Sequence, residues 1–254
     1  MVSPSTAADI DQFAEMIRAA SSAVVFTGAG ISTDSGIPDF RSPGGLWSQF
    51  KPIDFDEFMS SESIRKKAWE RKFDLDEAIG SPEPNGGHRA IASLLEQGKV
   101  SHVITQNIDG LHQAAGVPAE KVIELHGNNT FARCLTCQRR YELELIKQQF
   151  LVDQQPPYCD ECGGVIKSAV ISFGQSMPAA AMTQAEQATR EADLFIAIGS
   201  SLQVYPAAGF PRLAAELNIP LVILNRDPTD LDGTADLVLN TEITPVLIEV
   251  TRNQ

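Results

Sequence analysis

The chain contains only four cysteines, Cys134, Cys137, Cys159 and Cys162, which form two Cys-x2-Cys pairs separated by 21 residues. Thiolates at this spacing suit a tetrahedral zinc site of the ribbon type, in which two knuckle turns supply two ligands each. Gly163 and Gly164 follow the second pair and permit its tight turn. Two disulfides or four unrelated thiols are the rival readings. The N-terminal residues show neither a basic n-region nor an apolar h-region, so reduced thiols, and hence a metal, are favoured. Four thiolates leave a metal no open position, which predicts a structural rather than a catalytic zinc.

A second group of residues carries different chemistry. Residues 28–41 read Gly-Ala-Gly-Ile-Ser-Thr-Asp-Ser-Gly-Ile-Pro-Asp-Phe-Arg, directly after the apolar run of Ala23, Val24, Val25 and Phe26. Gly28 and Gly30 therefore stand where a buried strand ends, and bare backbone there can approach a phosphate closely. Position 33 is Thr, so the third glycine of the dinucleotide fingerprint is missing, and Gln106-Asn107 stand where an acid would hold the adenine ribose. An ordinary dehydrogenase clamp is disfavoured, while a dinucleotide held differently stays open. Asp39, Phe40 and Arg41 add a charge pair and an aromatic face that such a clamp does not need; Asp39 and Arg41 could equally be a plain salt bridge.

His126 lies at a predicted strand end before Gly127. An imidazole that titrates near neutrality is a natural acceptor for the proton of a sugar hydroxyl. His88 and His112 fall within or beside helices and His102 near a strand start, which makes them weaker candidates. Asn107 and Asp109 flank Ile108; they could cap a helix or bind a ribose or carboxamide, and spacing alone leaves both open.

These residues need a scaffold. Apolar spacing predicts helices over 8–20, 88–97, 179–191, 207–217 and 243–250. It predicts strands over 23–27, 100–105, 122–125, 169–173, 194–198, 221–224 and 236–239. Such alternation implies an α/β chain with a mostly parallel, doubly wound sheet. Residues 1–41, 87–130 and 168–254 are assigned to it; residues 42–86 read as an irregular insert with helical patches such as 63–73, and 131–167 as the cysteine module. Gly28-Ala29-Gly30, Gln106-Asn107, His126-Gly127, Gly199-Ser200-Ser201 and Asn225-Arg226 each follow the carboxyl end of a predicted strand, the edge where open parallel sheets bind ligands.

Bulk composition agrees with this reading. With 254 residues, 43% hydrophobic and 21% charged, the chain can build one large α/β domain with a small insert. Its formal net charge of −13 argues against a broad nucleic-acid footprint. No apolar run approaches the roughly 18 residues of a membrane span, so a cytoplasmic protein without membrane partners is expected.

Taken together, the motifs resemble those of the sirtuins, Sir2-like NAD-dependent protein deacylases. The matching pieces are residues 28–41, Thr105 to His112, Glu124 to Gly127, the cysteine quartet, Phe173-Gly174, Gly199 to Leu202, Tyr205-Pro206 and Asn225-Arg226, in order along nearly the whole chain. The resemblance implies a Rossmann-like NAD-binding domain and a smaller domain that joins the zinc module to the helical insert. NAD and an acyl-lysine protein substrate would meet between them. In such enzymes the acyl oxygen attacks the nicotinamide ribose and nicotinamide leaves; a ribose hydroxyl activated by the histidine then continues the transfer, which ends in free lysine and O-acyl-ADP-ribose.

Carried over residue by residue, the resemblance makes His126 the general base, with Asn107 and Asp109 as further catalytic residues. Gly28, Ala29, Gly30, Ser32 and Gln106 would bind NAD, and Asp39, Ile108 and Asp109 would line the nicotinamide pocket. Phe40 would shield the reactive face and Arg41 lie near the phosphates. Gly199, Ser200, Ser201, Asn225 and Arg226 would hold the adenosine half, with Ala235 near the adenine. Ile171, Phe173 and Gly174 would contact the acyl-lysine. Lys167-Ser168 replaces a common Arg-Pro, Gln175 a common acid, and Ser200 a common Thr. Lys67 to Lys72 lacks the tyrosine of the Tyr-x-x-Arg motif of succinyl- and malonyl-lysine members, which speaks against a dicarboxylate preference. Trp69-x-Arg71 is similar to a subgroup with other acyl preferences or ADP-ribosyl transfer. Long-chain or lipoyl deacylation, protein ADP-ribosylation and a non-catalytic NAD-sensing module are the alternatives, the last opposed by the presence of His126.

Overall fold

In the computed structural model, which describes residues 6–39, 45 and 51–252, helix α1 (Ala7–Ala19) precedes strand β1 (Ala23–Thr27). The insert holds α2 (Phe55–Ser60) and α3 (Glu62–Ile79), and is followed by α4 (Gly86–Glu96), β2 (Val100–Thr105), the single turn α5 (Leu111–Ala114) and β3 (Val122–Glu124). The cysteine region comprises β4 (Gly127–Cys134), β5 (Arg140–Glu142), α6 (Leu143–Asp153) and β6 (Ile166–Val170). The chain then runs through α7 (Ala179–Glu191), β7 (Leu194–Ile198), α8 (Gly209–Glu216), β8 (Leu221–Leu224), β9 (Leu237–Leu239) and α9 (Ile243–Arg252).

Every residue of β1, β7 and β8 is buried. Such strands need helices on both faces, which is the habitat of a parallel sheet. The sheet has the order β3-β2-β1-β7-β8-β9 with all pairs parallel, the Rossmann arrangement. Period-two alternation splits β1 between two cores. Val25 packs with Phe13 and Ile17 of α1, Ile91 of α4 and Leu247 of α9, whereas Val24 and Phe26 pack with Ala185 of α7 and Phe210 of α8. Asn85 starts α4 by accepting hydrogen bonds from the Gly87 and His88 amides at 2.8 and 3.3 Å.

The order reverses between β1 and β7, and there backbone meets backbone. The Gly30 amide donates to the Gly199 carbonyl at 2.8 Å, and the Gly28 amide to Ile198 at 3.0 Å. A Cβ on Gly28 would lie 2.7 Å from the Gly199 carbonyl oxygen, and one on Gly30 2.8 Å from the Gly199 Cα. Gly199 has φ +64°, and its Cβ would come within 2.5 Å of the Ile31 amide nitrogen. All three positions exclude a side chain.

The expected buried strand over 169–173 is different in the structure. The strand is β6, Ile166–Val170, and it pairs antiparallel with β4 in a separate three-stranded sheet of order β5-β4-β6. An apolar run this short reads alike for a core strand and for a half-covered one, and only the pairing partner decides. Beyond Val170 the chain leaves the sheet half-buried, and the Ile171 amide donates to the His126 carbonyl at 2.8 Å. The small sheet packs on Trp69 and Phe73 of α3 and Ile146 and Phe150 of α6, with ring centroids 5.5 Å apart for both Trp69–Phe73 and Phe73–Phe150. The insert, expected as largely irregular, is thus helical where it faces the cysteine region. Among the described residues no helix is long and apolar enough to cross a membrane.

Gly30→Ala is expected to lower unfolding free energy by about 1–3 kcal/mol in a urea melt, because packed backbone must move to admit the methyl. Gly209→Ala, with nothing within 4 Å of its Cβ, is expected to leave the midpoint unchanged or raise it.

Candidate active site

The ends of all six strands of the large sheet open into one cavity of about 710 Å³. Gly28, Ala29 and Gly30 line it after β1, Gln106, Asn107 and Ile108 after β2, His126 after β3, Gly199, Ser200 and Ser201 after β7, and Asn225 and Arg226 after β8. Asp39, Ile171, Phe173 and Gly174 line it as well. Thr241 and Glu242, which follow β9, are lining residues that sequence reasoning missed. The same strand-end rule, extended to the last strand, would have found them.

His126 Nδ1 lies 2.9 Å from the Gln106 carbonyl oxygen. A carbonyl only accepts, so Nδ1 carries the hydrogen and Nε2 keeps its lone pair. Burial pushes the imidazole below its ordinary 6.5, and the hydrogen bond to Gln106 opposes this in part. At neutral pH the ring is therefore uncharged and able to accept a proton. The Gln106 side chain in turn donates to Ser200 Oγ at 2.8 Å and ties β2 to β7 across β1.

Behind the cavity wall lies a hydrogen-bonded network. Asn107 Nδ2 donates to the Gly28 carbonyl at 3.1 Å and to Ser32 Oγ at 3.2 Å, and Ser32 Oγ donates to Asp109 Oδ2 at 2.7 Å. Asp109 Oδ1 accepts from the Leu111 amide at 2.9 Å, which occupies the first free N–H of α5, whose N-cap position is Gly110. Ser32 and Asp109 are thus one bond back from the cavity surface. His88 Nδ1 accepts from the Asn85 amide at 3.4 Å, which leaves Nε2 to donate toward Ser32 Oγ at 3.5 Å. His112 Nε2 is 2.9 Å from Thr27 Oγ1, and the two imidazoles sit edge to face at 5.1 Å. Their helical sequence positions hid this contact. Burial pushes His88 down to about 4, against the pull of Asp109, and His112 down to about 3.

Ala235 packs against the second core cluster near Leu231. Phe40 and Arg41 lie outside the described residues.

The cysteines satisfy the geometry of one metal. All four sulfurs lie within 4.8 Å of one another, with Cys134–Cys162 at 3.5 Å and Cys137–Cys159 at 3.6 Å. A tetrahedron with ~2.3 Å zinc–sulfur bonds has edges of roughly 3.8 Å, whereas a disulfide needs about 2.05 Å. A Cβ on Gly164 would stand 2.8 Å from Cys134 Sγ, so the second knuckle closes only over glycine.

The family model described as Sir2 family matches residues 28–206. The NAD-dependent protein deacetylase of Rhodopseudomonas palustris is 52% identical over 243 residues, covering 96% of each chain. A solved Sir2 complex with a p53 peptide and NAD+ has a TM-score of 0.85 and 36% identity over 96% of this chain and 97% of that one. A Sir2 variant solved with deacetylated p53 peptide and 3'-O-acetyl ADP ribose has a TM-score of 0.83 and 36% identity over 96% of both chains.

Two measurements test this arrangement. His88 and His112 sit below 6.5 in the fold and return there on unfolding, so the unfolded chain binds protons that the folded chain refuses. Their contribution is complete above about pH 6.5 and is lost as pH falls from there toward 4. Calorimetric unfolding at about pH 5.5 is expected to take up at least about two protons; net release would contradict the buried neutral pair. A metal assay is expected to find one zinc per chain, and chelation to melt the small sheet before the large one.

Proposed function

The chain belongs to the Sir2 family, the sirtuins, and we propose that the cavity at its strand ends is where it, as an NAD-dependent protein deacetylase, brings acyl-lysine and NAD together. The observation that carries this reading is the neutral His126, with Nδ1 held on a carbonyl, in the same cavity as the Gly28–Gly30 backbone and the Ile171–Phe173 wall.

The residues present fit NAD. Three glycine positions offer backbone without side chains, and the cavity volume is within the range of small-molecule sites. NAD supplies a ribose carbon that the acyl oxygen can attack as nicotinamide departs. His126 Nε2 takes the proton of a ribose hydroxyl. Asn107, fixed by Gly28 and Ser32, orients the ribose, and Ser32 holds Asp109 beside Ile108 and Asp39 as the nicotinamide pocket. Gly28, Ala29, Gly30 and Gln106 take the pyrophosphate half; the family resemblance gives Arg41 a role toward the phosphates and Phe40 one in shielding the reactive face. Gly199, Ser200, Ser201, Asn225 and Arg226 take the adenosine half, with Ala235 toward the adenine. Ile171, Phe173 and Gly174, beside Pro52 and Ile53, form an apolar wall for the acyl-lysine stem and keep water from the developing charge. With one water consumed to release the lysine, the products are nicotinamide, free lysine and O-acyl-ADP-ribose.

In this reading the six-stranded sheet with its helices is the NAD-binding domain, and residues 42–86 together with the three-stranded sheet form the facing small domain, held by structural zinc; the bounds expected at 130 and 168 move to 126 and 171, because β4 starts at Gly127 and β6 ends at Val170. Four thiols placed for a metal fit a reducing compartment, which supports a cytoplasmic location. The net charge of −13 gives no support to a nucleic-acid partner.

His126→Ala is expected to retain NAD binding but lose about 10²–10⁴-fold in O-acyl-ADP-ribose formation. Undiminished turnover would remove His126 from its role. Because the base must be unprotonated, kcat/KM is expected to fall toward acid with a midpoint below 6.5. A panel of acyl-lysine peptides with NAD consumption as readout would define the acyl preference, and protein labelled by ADP-ribose would instead indicate transferase chemistry.

A further inference from the structure

The four cysteine sulfurs do not share one environment. Cys134 and Cys159 are buried, whereas Cys137 and Cys162 are exposed. Four thiolates around one zinc leave a net negative centre, and buried sulfurs need hydrogen-bond donors from the chain because water does not reach them. Cys134 accepts from the backbone amides of Thr136 and Cys137 at 3.4 and 3.5 Å. A knuckle turn supplies such amides whatever its side chains.

Cys159 additionally receives a side-chain donor. The Tyr141 hydroxyl lies 3.0 Å from Cys159 Sγ. Tyr141 sits on β5, opposite Ala132 of β4, outside both knuckles. The same hydroxyl contacts Asp160 Oδ1, so one proton faces two acceptors. Arg139 reinforces the arrangement. Its guanidinium lies 5.4 Å from the Tyr141 ring centroid and pairs with Asp160 at 3.3 Å and Glu161 at 2.8 Å.

We propose that Tyr141 is a positioning residue for the zinc site, its hydroxyl hydrogen-bonded to the Cys159 thiolate so that the buried sulfur keeps the metal. Loss of zinc requires a sulfur to exchange metal for a proton. A sulfur that already accepts a hydrogen bond is a poorer base for that proton and holds less uncompensated charge. The bond draws on a side chain that lies four residues beyond the first Cys-x2-Cys pair and reaches across to the second, so zinc retention depends on β5 staying paired with β4.

The test uses the full zinc-loaded chain and its cobalt(II)-substituted form. Tyr141→Phe keeps the ring and removes the hydroxyl. Zinc transfer to excess chelator is expected to accelerate about 10- to 100-fold. The sulfur-to-cobalt charge-transfer band is expected to move to longer wavelength, with the far-ultraviolet circular dichroism unchanged. Arg139→Gln loosens the clamp but keeps the hydroxyl, and is expected to leave the band in place. Unchanged release in Tyr141→Phe overturns the proposal. So does faster release in both variants with an unmoved band, which would reduce Tyr141 to packing. If Tyr141→Phe fails to fold, Asp160→Ala provides the second reading. It frees the hydroxyl proton for sulfur and is expected to shift the band to shorter wavelength and slow release; no shift overturns the proposal.

Discussion

The contact of the β1 and β7 ends at Gly28, Gly30 and Gly199 is the constraint on which the rest depends. Two main chains approach there so closely that no Cβ fits between them. Because β1 and β7 are the strands at which the winding reverses, this contact lies at the mouth of the crevice. Widening it would separate Gln106 from Ser200 and detach Asn107 from the Gly28 carbonyl. The position of His126, the proposed base, is tied in as well, since the imidazole takes its orientation from the Gln106 carbonyl.

Desolvation is the second theme. The same burial that gives the sheet its cores also keeps imidazoles neutral at and behind the cavity. In its proposed role His126 needs that neutrality to accept a proton, while His88 and His112 need it to remain folded in place. Asp109 links the two regions, taking the Leu111 amide at the start of α5 with one oxygen and the Ser32 hydroxyl with the other.

The three-stranded sheet meets a different constraint. A three-stranded sheet with short strands buries too little to be secure alone, and it relies on Trp69 and Phe73 from the insert and on a metal across its knuckles. From these segments Pro52 and Ile53, ahead of α2, and Val170, at the end of β6, reach the cavity, and Ile171 and Phe173 continue its lining.

Much of this was legible along the chain. Cysteine spacing implied one metal site because ligand geometry constrains local turns, and apolar runs located the parallel strands because the central ones, β1, β7 and β8, are buried over their whole length. The polar ends of those strands followed, and with them most of the cavity. The affiliation of 169–173 was not legible, nor was the pairing of His88 with His112, the place of Thr241 and Glu242 in the wall, or the reach of Tyr141 to Cys159. Each depends on which surfaces face one another after the chain has folded. Local patterns record the exposure a residue needs and the turn it can make; they carry no distance between segments, and tertiary packing alone supplies that.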